Sequence, residues 1–141
     1  MKPKNVIVWF DLPTLDFDRA KKFYEAVLGD EIKIDEQTGM KVGMFPMQEK
    51  MGVGGDLVPP DSPMMIKPAP AGLGARMYFD VSDRLDEAIE QAEIGGGKII
   101  RPKFFMEMAG WMAIIEDTEG NQVGLWSKGK KEDSSDDEGG M

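Results

Sequence analysis

Three observations predict an α+β fold built of two βαβββ modules. Strand-like and helix-like periodicities follow one another in the same order twice, a proline-rich segment separates the two runs, and a short residue match relates them at a spacing near 70. That spacing is too long for a solenoid repeat and suggests two fused copies. Two such modules set their sheets side by side as one curved sheet, with helices outside and a cleft inside.

In residues 6–12, Val6, Val8, Phe10 and Leu12 alternate with Ile7, Trp9 and Asp11, the period-2 pattern of a half-buried strand. Asp16 then caps a helix whose apolar positions, Phe17, Ala20, Phe23, Tyr24, Val27 and Leu28, recur at three- and four-residue steps until Gly29 stops it. Short strands are expected at 31–35, 40–47 and 53–58, separated by glycine-bearing turns. The segment 59–74 holds five prolines and two glycines, which neither a helix nor a central strand tolerates, so it reads as a linker.

The pattern then restarts. Met77, Phe79 and Val81 alternate with Arg76, Tyr78 and Asp80, a helix follows on Leu85, Ala88, Ile89 and Ala92, and Gly95 to Gly97 end it. Strands are expected at 98–105, 111–116 and 122–126, with a tight turn at 117–121 between the last two. Phe10-Asp11-Leu12 matches Phe79-Asp80-Val81, and Phe17-Asp18-Arg19-Ala20 matches Leu85-Asp86-Glu87-Ala88. The organisation is therefore a first module at 1–58, a linker at 59–74, a second module at 75–127 and an acidic tail at 128–141, too polar to fold.

Composition narrows the chemistry. The chain has 141 residues, 41% of them hydrophobic, enough for a real core. It has no cysteine and no histidine, which removes disulfides, thiolate chemistry, the commonest metal ligand and the side chain best suited to proton transfer near neutral pH. The net charge is -9; the tail holds three lysines and five acids, so most of the excess belongs to the body. Such a field disfavours nucleic acid and anionic membranes. No stretch approaches the roughly 20 apolar residues that span a bilayer, and the N-terminal lysines lead into an apolar run broken by Asp11 and Pro13, unlike a secretory signal. A cytoplasmic location is expected.

Val8 to Leu12, Asp16 to Tyr24 and Leu28-Gly29 in the first module, and Gly95 to Ile100 and Gly110 to Trp126 in the second, resemble the vicinal oxygen chelate superfamily of glyoxalase, bleomycin resistance and extradiol dioxygenase proteins. The Asp117-to-Asn121 turn is the most specific part. The resemblance implies that fold for residues 5–127, and a superfamily in which metal-dependent isomerases and dioxygenases stand beside metal-free drug-binding members. It implies metal ligands on the first strand of each module and a Glu on the last. Those positions fall here on Trp9, Arg76, Gly124 and either Gly54 or Gly55, so no metal and no cofactor are expected. A displaced carboxylate set drawn from Asp11, Asp56, Asp80 or Glu116 is the remaining way to hold one.

Pleat geometry sends Trp9 and Asp11 to the cleft side, with Arg76, Tyr78 and Asp80 from the second module and Gln122, Gly124 and Trp126 from the last strand. Trp9 and Trp126 suit stacking and Arg76 suits an anionic group; the bland alternative makes the tryptophans core and pairs Arg76 with Asp11 or Asp80. Asp11 and Asp80, related by the repeat, form a candidate acid-base pair. Twelve methionines, among them Met44, Met47, Met51, Met64, Met65, Met106, Met108 and Met112, suit gap-filling or loose apolar binding. The run from Phe104 to Trp111 is a lid or a dimer contact. The expected function is metal-independent binding of a small-molecule ligand by a homodimer. The alternatives are a lyase or isomerase resembling lactoylglutathione lyase, or a dioxygenase, with a carboxylate site, and a dimeric regulatory protein with a closed cleft.

Overall fold

The first strand, β1 at Trp9–Pro13, leads through Asp16 into α1 at Phe17–Leu28. In this computed structural model, residues 2–3, 5–36, 40–47, 52–64, 66–69, 73–107 and 109–129 are described. The tail beyond 129, and Met51, Met65 and Met108, lie outside them. The Asp16 carboxylate accepts from Arg19 N at 3.1 Å, and Gly29 closes the helix at φ 73° in the left-handed region. Three short strands follow, β2 at Lys33–Asp35, β3 at Val42–Met44 and β4 at Gly54–Val58. The second unit repeats the order with β5 at Tyr78–Asp80, α2 at Leu85–Ile94, β6 at Lys98–Met106, β7 at Gly110–Glu116 and β8 at Gln122–Ser127.

Each unit forms a four-stranded mixed sheet, ordered β1-β4-β3-β2 and β5-β8-β7-β6, in which only the β1–β4 and β5–β8 pairs are parallel. The fold is thus the α+β architecture expected of two βαβββ units. One hydrophobic core joins them: Leu12, Phe23, Tyr24, Phe45 and Leu57 pack in the same cluster as Phe79, Val81, Ile115 and Leu125. At its centre the Phe79 ring touches Phe10, Tyr24 and Phe45 with centroids 5.8, 5.4 and 5.1 Å apart. Such pairs add to the burial energy of the rings. No helix among the described residues is long and apolar enough to cross a membrane.

The first strand is shorter than its alternation suggested. Val6, Ile7 and Val8 are 88%, 55% and 76% exposed, because β4 begins at Gly54, opposite Trp9, and leaves them no partner. Residues 98–105 do form an edge strand, but the ladder slips between Ile99 and Arg101 and again between Arg101 and Phe104, around Pro102, which has no N–H to donate.

The two units are clamped through the turn between β7 and β8. Glu119, with its side chain fully buried, accepts Leu15 N at 2.8 Å and Asp16 N at 2.7 Å at the start of α1. It also accepts Arg19 Nε at 2.8 Å, Arg19 Nη2 at 3.1 Å and the Thr118 hydroxyl at 2.7 Å. Burial alone raises a carboxyl's pKa; these donors outweigh it and hold Glu119 below the usual range. Asn121 donates to Pro13 O at 2.9 Å, and the buried Tyr24 hydroxyl donates to Asp117 at 2.6 Å. Arg84 returns the contact, donating to Val27 O at 2.6 Å at the far end of α1.

Glu119→Gln keeps the shape but removes the charge. We expect it to cost about 2 kcal/mol in urea unfolding at pH 7, the scale of hydrogen bonds to a charged acceptor. Because the folded pKa is depressed, that contribution is present above the ordinary carboxylate range and lost as pH falls, so the difference should shrink below about pH 4. An unchanged urea midpoint at pH 7 would rule out the clamp.

Candidate functional site

Hydrogen bonds in the two parallel ladders fix which residues of the units correspond. Thr14 N donates to Val58 O at 3.1 Å, and Val81 N donates to Trp126 O at 2.8 Å. Counting back along the paired strands, Trp9 corresponds to Arg76, Asp11 to Tyr78, Gly54 to Gln122 and Asp56 to Gly124. The residue match of Phe10-Asp11-Leu12 with Phe79-Asp80-Val81 is therefore two positions out of register. The counterpart of Gly124 is Asp56, where the sequence pattern pointed to Gly54 or Gly55.

The parity argument holds on β1: Phe10 and Leu12 turn to the core while Trp9 and Asp11 leave the other face. Trp9 lies against Gly54, where an added Cβ would come within 3.1 Å of the indole and collide with Met47 Sδ. Its indole N–H is donated to Asp56. Asp56 stands opposite Asp11 in the parallel register and is only 7% exposed. One of its oxygens, Oδ1, has no hydrogen-bond partner. Burial, a hydrogen bond shared with Asp11 and the charge of Asp11 together push the Asp56 carboxyl up to about 7, against a smaller lowering by Trp9. Asp56 thus keeps its proton up to near neutral pH.

Asp11 does have a carboxyl partner, but it is Asp56 and not Asp80. The Asp80 carboxylate is taken by the Ser82 backbone N–H at 3.0 Å and hydroxyl at 2.7 Å.

On the second sheet Arg76 donates to Gln122 Oε1 at 2.8 Å and to the Tyr78 hydroxyl at 3.3 Å, partners other than the Asp11 or Asp80 of the alternative ion pair. The Tyr78 ring lies across Gly124, where any Cβ would overlap it. Trp126 is committed elsewhere: its indole N–H donates to Ala109 O at 2.6 Å and pins the β6–β7 turn. In that hairpin Arg101 sits 3.6 Å from the Phe104 ring centroid and Phe105 packs on Trp111 at 5.1 Å, so the aromatic run is half-buried.

Among the described residues, the expected site residues are spread over four pockets. Trp9 borders a pocket of about 510 Å³ with Met44, Met47 and Gly54. Arg76 and Tyr78 border a depression of about 710 Å³ with Ile100, Arg101, Phe104, Met106, Met112 and Ile114. Asp11 and Gln122 share a smaller cavity of about 180 Å³ beside the linker, and Tyr78 and Asp80 border one of about 520 Å³ with Phe10. Among the described residues no group of three or more Asp and Glu is placed to hold a metal ion, so the displaced set of Asp11, Asp56, Asp80 and Glu116 does not form. Of the four positions at issue, Asp56 alone carries an anionic donor, and Arg76 brings a cation.

A family model described as the Glyoxalase/Bleomycin resistance protein/Dioxygenase superfamily matches residues 6–125. The chain is 32% identical over 120 residues to "Putative glyoxylase CFP32" of Mycobacterium bovis, and to the same extent to that of Mycobacterium tuberculosis. The match covers 84% of this chain and 44% of each relative, so the chain spans less than half the length of the curated relatives it matches. Among solved structures, a glyoxalase/bleomycin resistance protein from Albidiferax ferrireducens is similar at TM-score 0.69 and 18% identity, over 88% of this chain and all of that one. A superfamily member from Sphaerobacter thermophilus gives 0.62 and 20% over 88% and 98%. A glyoxalase I mutant from Zea mays gives 0.64 and 19% over 85% and 45%.

Asp56→Asn removes the like-charge conflict without changing shape. A folded pKa raised toward 7 makes the native protein lose stability as pH climbs from the ordinary carboxylate range through 7. The variant's melting midpoint should therefore exceed the native one by several degrees at pH 8, with the gap closing toward pH 5. An equal gap at both values would show that the Asp56 carboxyl is not held up in the folded protein.

Proposed function

The chain belongs to the glyoxalase/bleomycin resistance protein/dioxygenase superfamily, and from that premise we propose that it is a metal-independent binder of a small amphipathic anion. The observation that carries the reading is the 710 Å³ depression on the second sheet, where Arg76 and Arg101 stand at an apolar surface of Ile100, Phe104, Met112 and Ile114. A concave, mostly apolar wall with a few charged groups is the usual form of a small-molecule site. The Arg76 fork, held by Gln122 and Tyr78, suits a carboxylate or phosphate, and the apolar wall suits an aromatic or alkyl body.

Metal independence is supported by the donor set. Trp9, Arg76 and Gly124 offer no anionic or imidazole ligand, and hard or borderline cations need several donors converging on one point. A homodimer remains part of the proposal, supported by relatives of which the matched segment fills under half the length and by the exposed apolar run Val6 to Val8.

Two measurements test the reading. Chelator-treated protein should melt at the same temperature with and without nickel, zinc, manganese or iron(II), since a ligand that binds only the folded state raises the midpoint. A saturable rise that Asp56→Asn removes would replace this proposal with a metal-dependent one. In calorimetry, 2-naphthoate should bind and neutral 2-naphthamide should not, and Arg76→Ala should weaken the naphthoate about tenfold or more, as a charge-assisted bond of about 1.5–3 kcal/mol implies. Equal binding of acid and amide would sink the anion site.

A further inference from the structure

The chain has four arginines, and among the described residues two of them meet an acid. Arg19 binds Glu119 at 2.8 Å and Arg84 binds Glu87 at 3.4 Å. Arg76 and Arg101, both on the open face of the second sheet, have neutral partners instead. Arg76 meets Gln122 and the Tyr78 hydroxyl, and Arg101 meets the Phe104 ring. Both border the 710 Å³ depression, and among the described residues no carboxylate lines it. Glu116, on the same face, lies in the next row opposite Lys98 and outside that lining.

Strand register roots the two arginines on opposite edges of the sheet. Tyr78 on β5, Gly124 on β8, Ile114 on β7 and Arg101 on β6 form one row across it, and Arg76 stands two positions before Tyr78. β5 and β6 are the end strands of that sheet. Three strand spacings separate them, about 14 Å along a flat sheet and less across a concave one. Between the two edges the floor is apolar or aromatic: the Tyr78 ring lies across Gly124, and Ile114 and Met112 continue it. Arg101 stacks with its guanidinium 3.6 Å from the Phe104 centroid, a contact that leaves its N–H donors available.

We propose that this depression takes an elongated diacid, an apolar body with a carboxylate at each end, one end held by Arg76 and the other by Arg101. The inference rests on the anion reading above and narrows its ligand class. A monoacid leaves one guanidinium without a counter-charge beside an apolar floor, where burial under the ligand makes an unpaired charge costly. A second carboxylate at the far end pairs with the planar Arg101 fork and removes that cost. The apolar body then covers the floor between the two edges. Two carboxylates set side by side on one end of the body reach one arginine and leave the other unpaired.

The test is calorimetric titration of the full chain with 2-naphthoate, 2,6-naphthalenedicarboxylate and 2,3-naphthalenedicarboxylate, which share one ring system. The 2,6-diacid should bind about tenfold or more tighter than 2-naphthoate, the scale of one added charge-assisted contact. The 2,3-diacid, whose carboxylates are adjacent, should gain much less. Arg101→Gln, at an exposed position of an edge strand, should remove the advantage of the 2,6-diacid and leave 2-naphthoate binding as before. If 2-naphthoate binds and the 2,6-diacid gains nothing, or gains no more than the 2,3-diacid, the diacid site is overturned while the anion reading stands. An advantage that survives Arg101→Gln overturns it as well, and failure of all three acids to bind overturns both. The comparison of the three acids on the native chain decides the matter even where the variant does not fold.

Discussion

Glu119 is a carboxylate with no exposed side-chain surface, set between the turn that joins β7 to β8 and the first turn of α1. An isolated charge there would cost several kcal/mol, so the position is tenable only because backbone N–H groups of Leu15 and Asp16 and the Arg19 guanidinium all point at it. Those two N–H groups belong to the N-cap residue, Asp16, and to the residue before it, where the chain enters the helix. The second unit thus holds the entry to the first unit's helix, which Asp16 itself caps through Arg19 N. With Asn121 holding Pro13 O and Tyr24 holding Asp117, the same turn fixes the end of β1 and the middle of α1. Both outer sheet faces take their relative position from this contact, since β1 and β8 each run directly from it.

How legible a feature is in the sequence follows from how local its cause is. The Asp16 cap, the left-handed Gly29 and the in-and-out alternation of Phe10 to Leu12 depend on residues a few positions apart, and the fold delivers them. The strand character of Val6 to Val8 depends on a distant partner strand that begins only at Gly54, and so it is not realised. The internal match was misleading for a related reason. Phe10 and Phe79 occupy different ladder positions, yet their rings meet edge to face in the shared core. Their likeness reflects packing against each other, and hydrogen-bond register shows Leu12 to be the counterpart of Phe79.

The same limit applies to the site. Parity places Trp9 and Asp11 on one face without any knowledge of the fold, but which acid Asp11 meets is set by β1–β4 pairing, a non-local choice that brings Asp56 and leaves Asp80 to Ser82. Trp126 has the right parity for the open face and is nevertheless spent on a carbonyl in the β6–β7 turn. The clamp residues Tyr24, Asp117, Glu119 and Asn121 were readable only as a turn. The available hint was chemical: an acidic side chain at the tip of a tight turn commonly points to water, whereas here it faces the start of a capped helix.

The corresponding positions of the two sheets differ in charge, and this constrains what either can hold. Where the first sheet has Trp9, Asp11 and Asp56, the second has Arg76, Tyr78 and Gly124. An anion brought to the first face would add a further negative charge beside the Asp11–Asp56 pair, while a cation at the second would meet Arg76 and Arg101. Like charges repel strongly once water is excluded. Two modules of one architecture therefore present faces of opposite charge. The Asp11–Asp56 conflict subtracts from folding stability at neutral pH and would be worsened by any anion. The strand pairing that sets Asp56 beside Asp11 is thereby also what sets the charge that the first face presents.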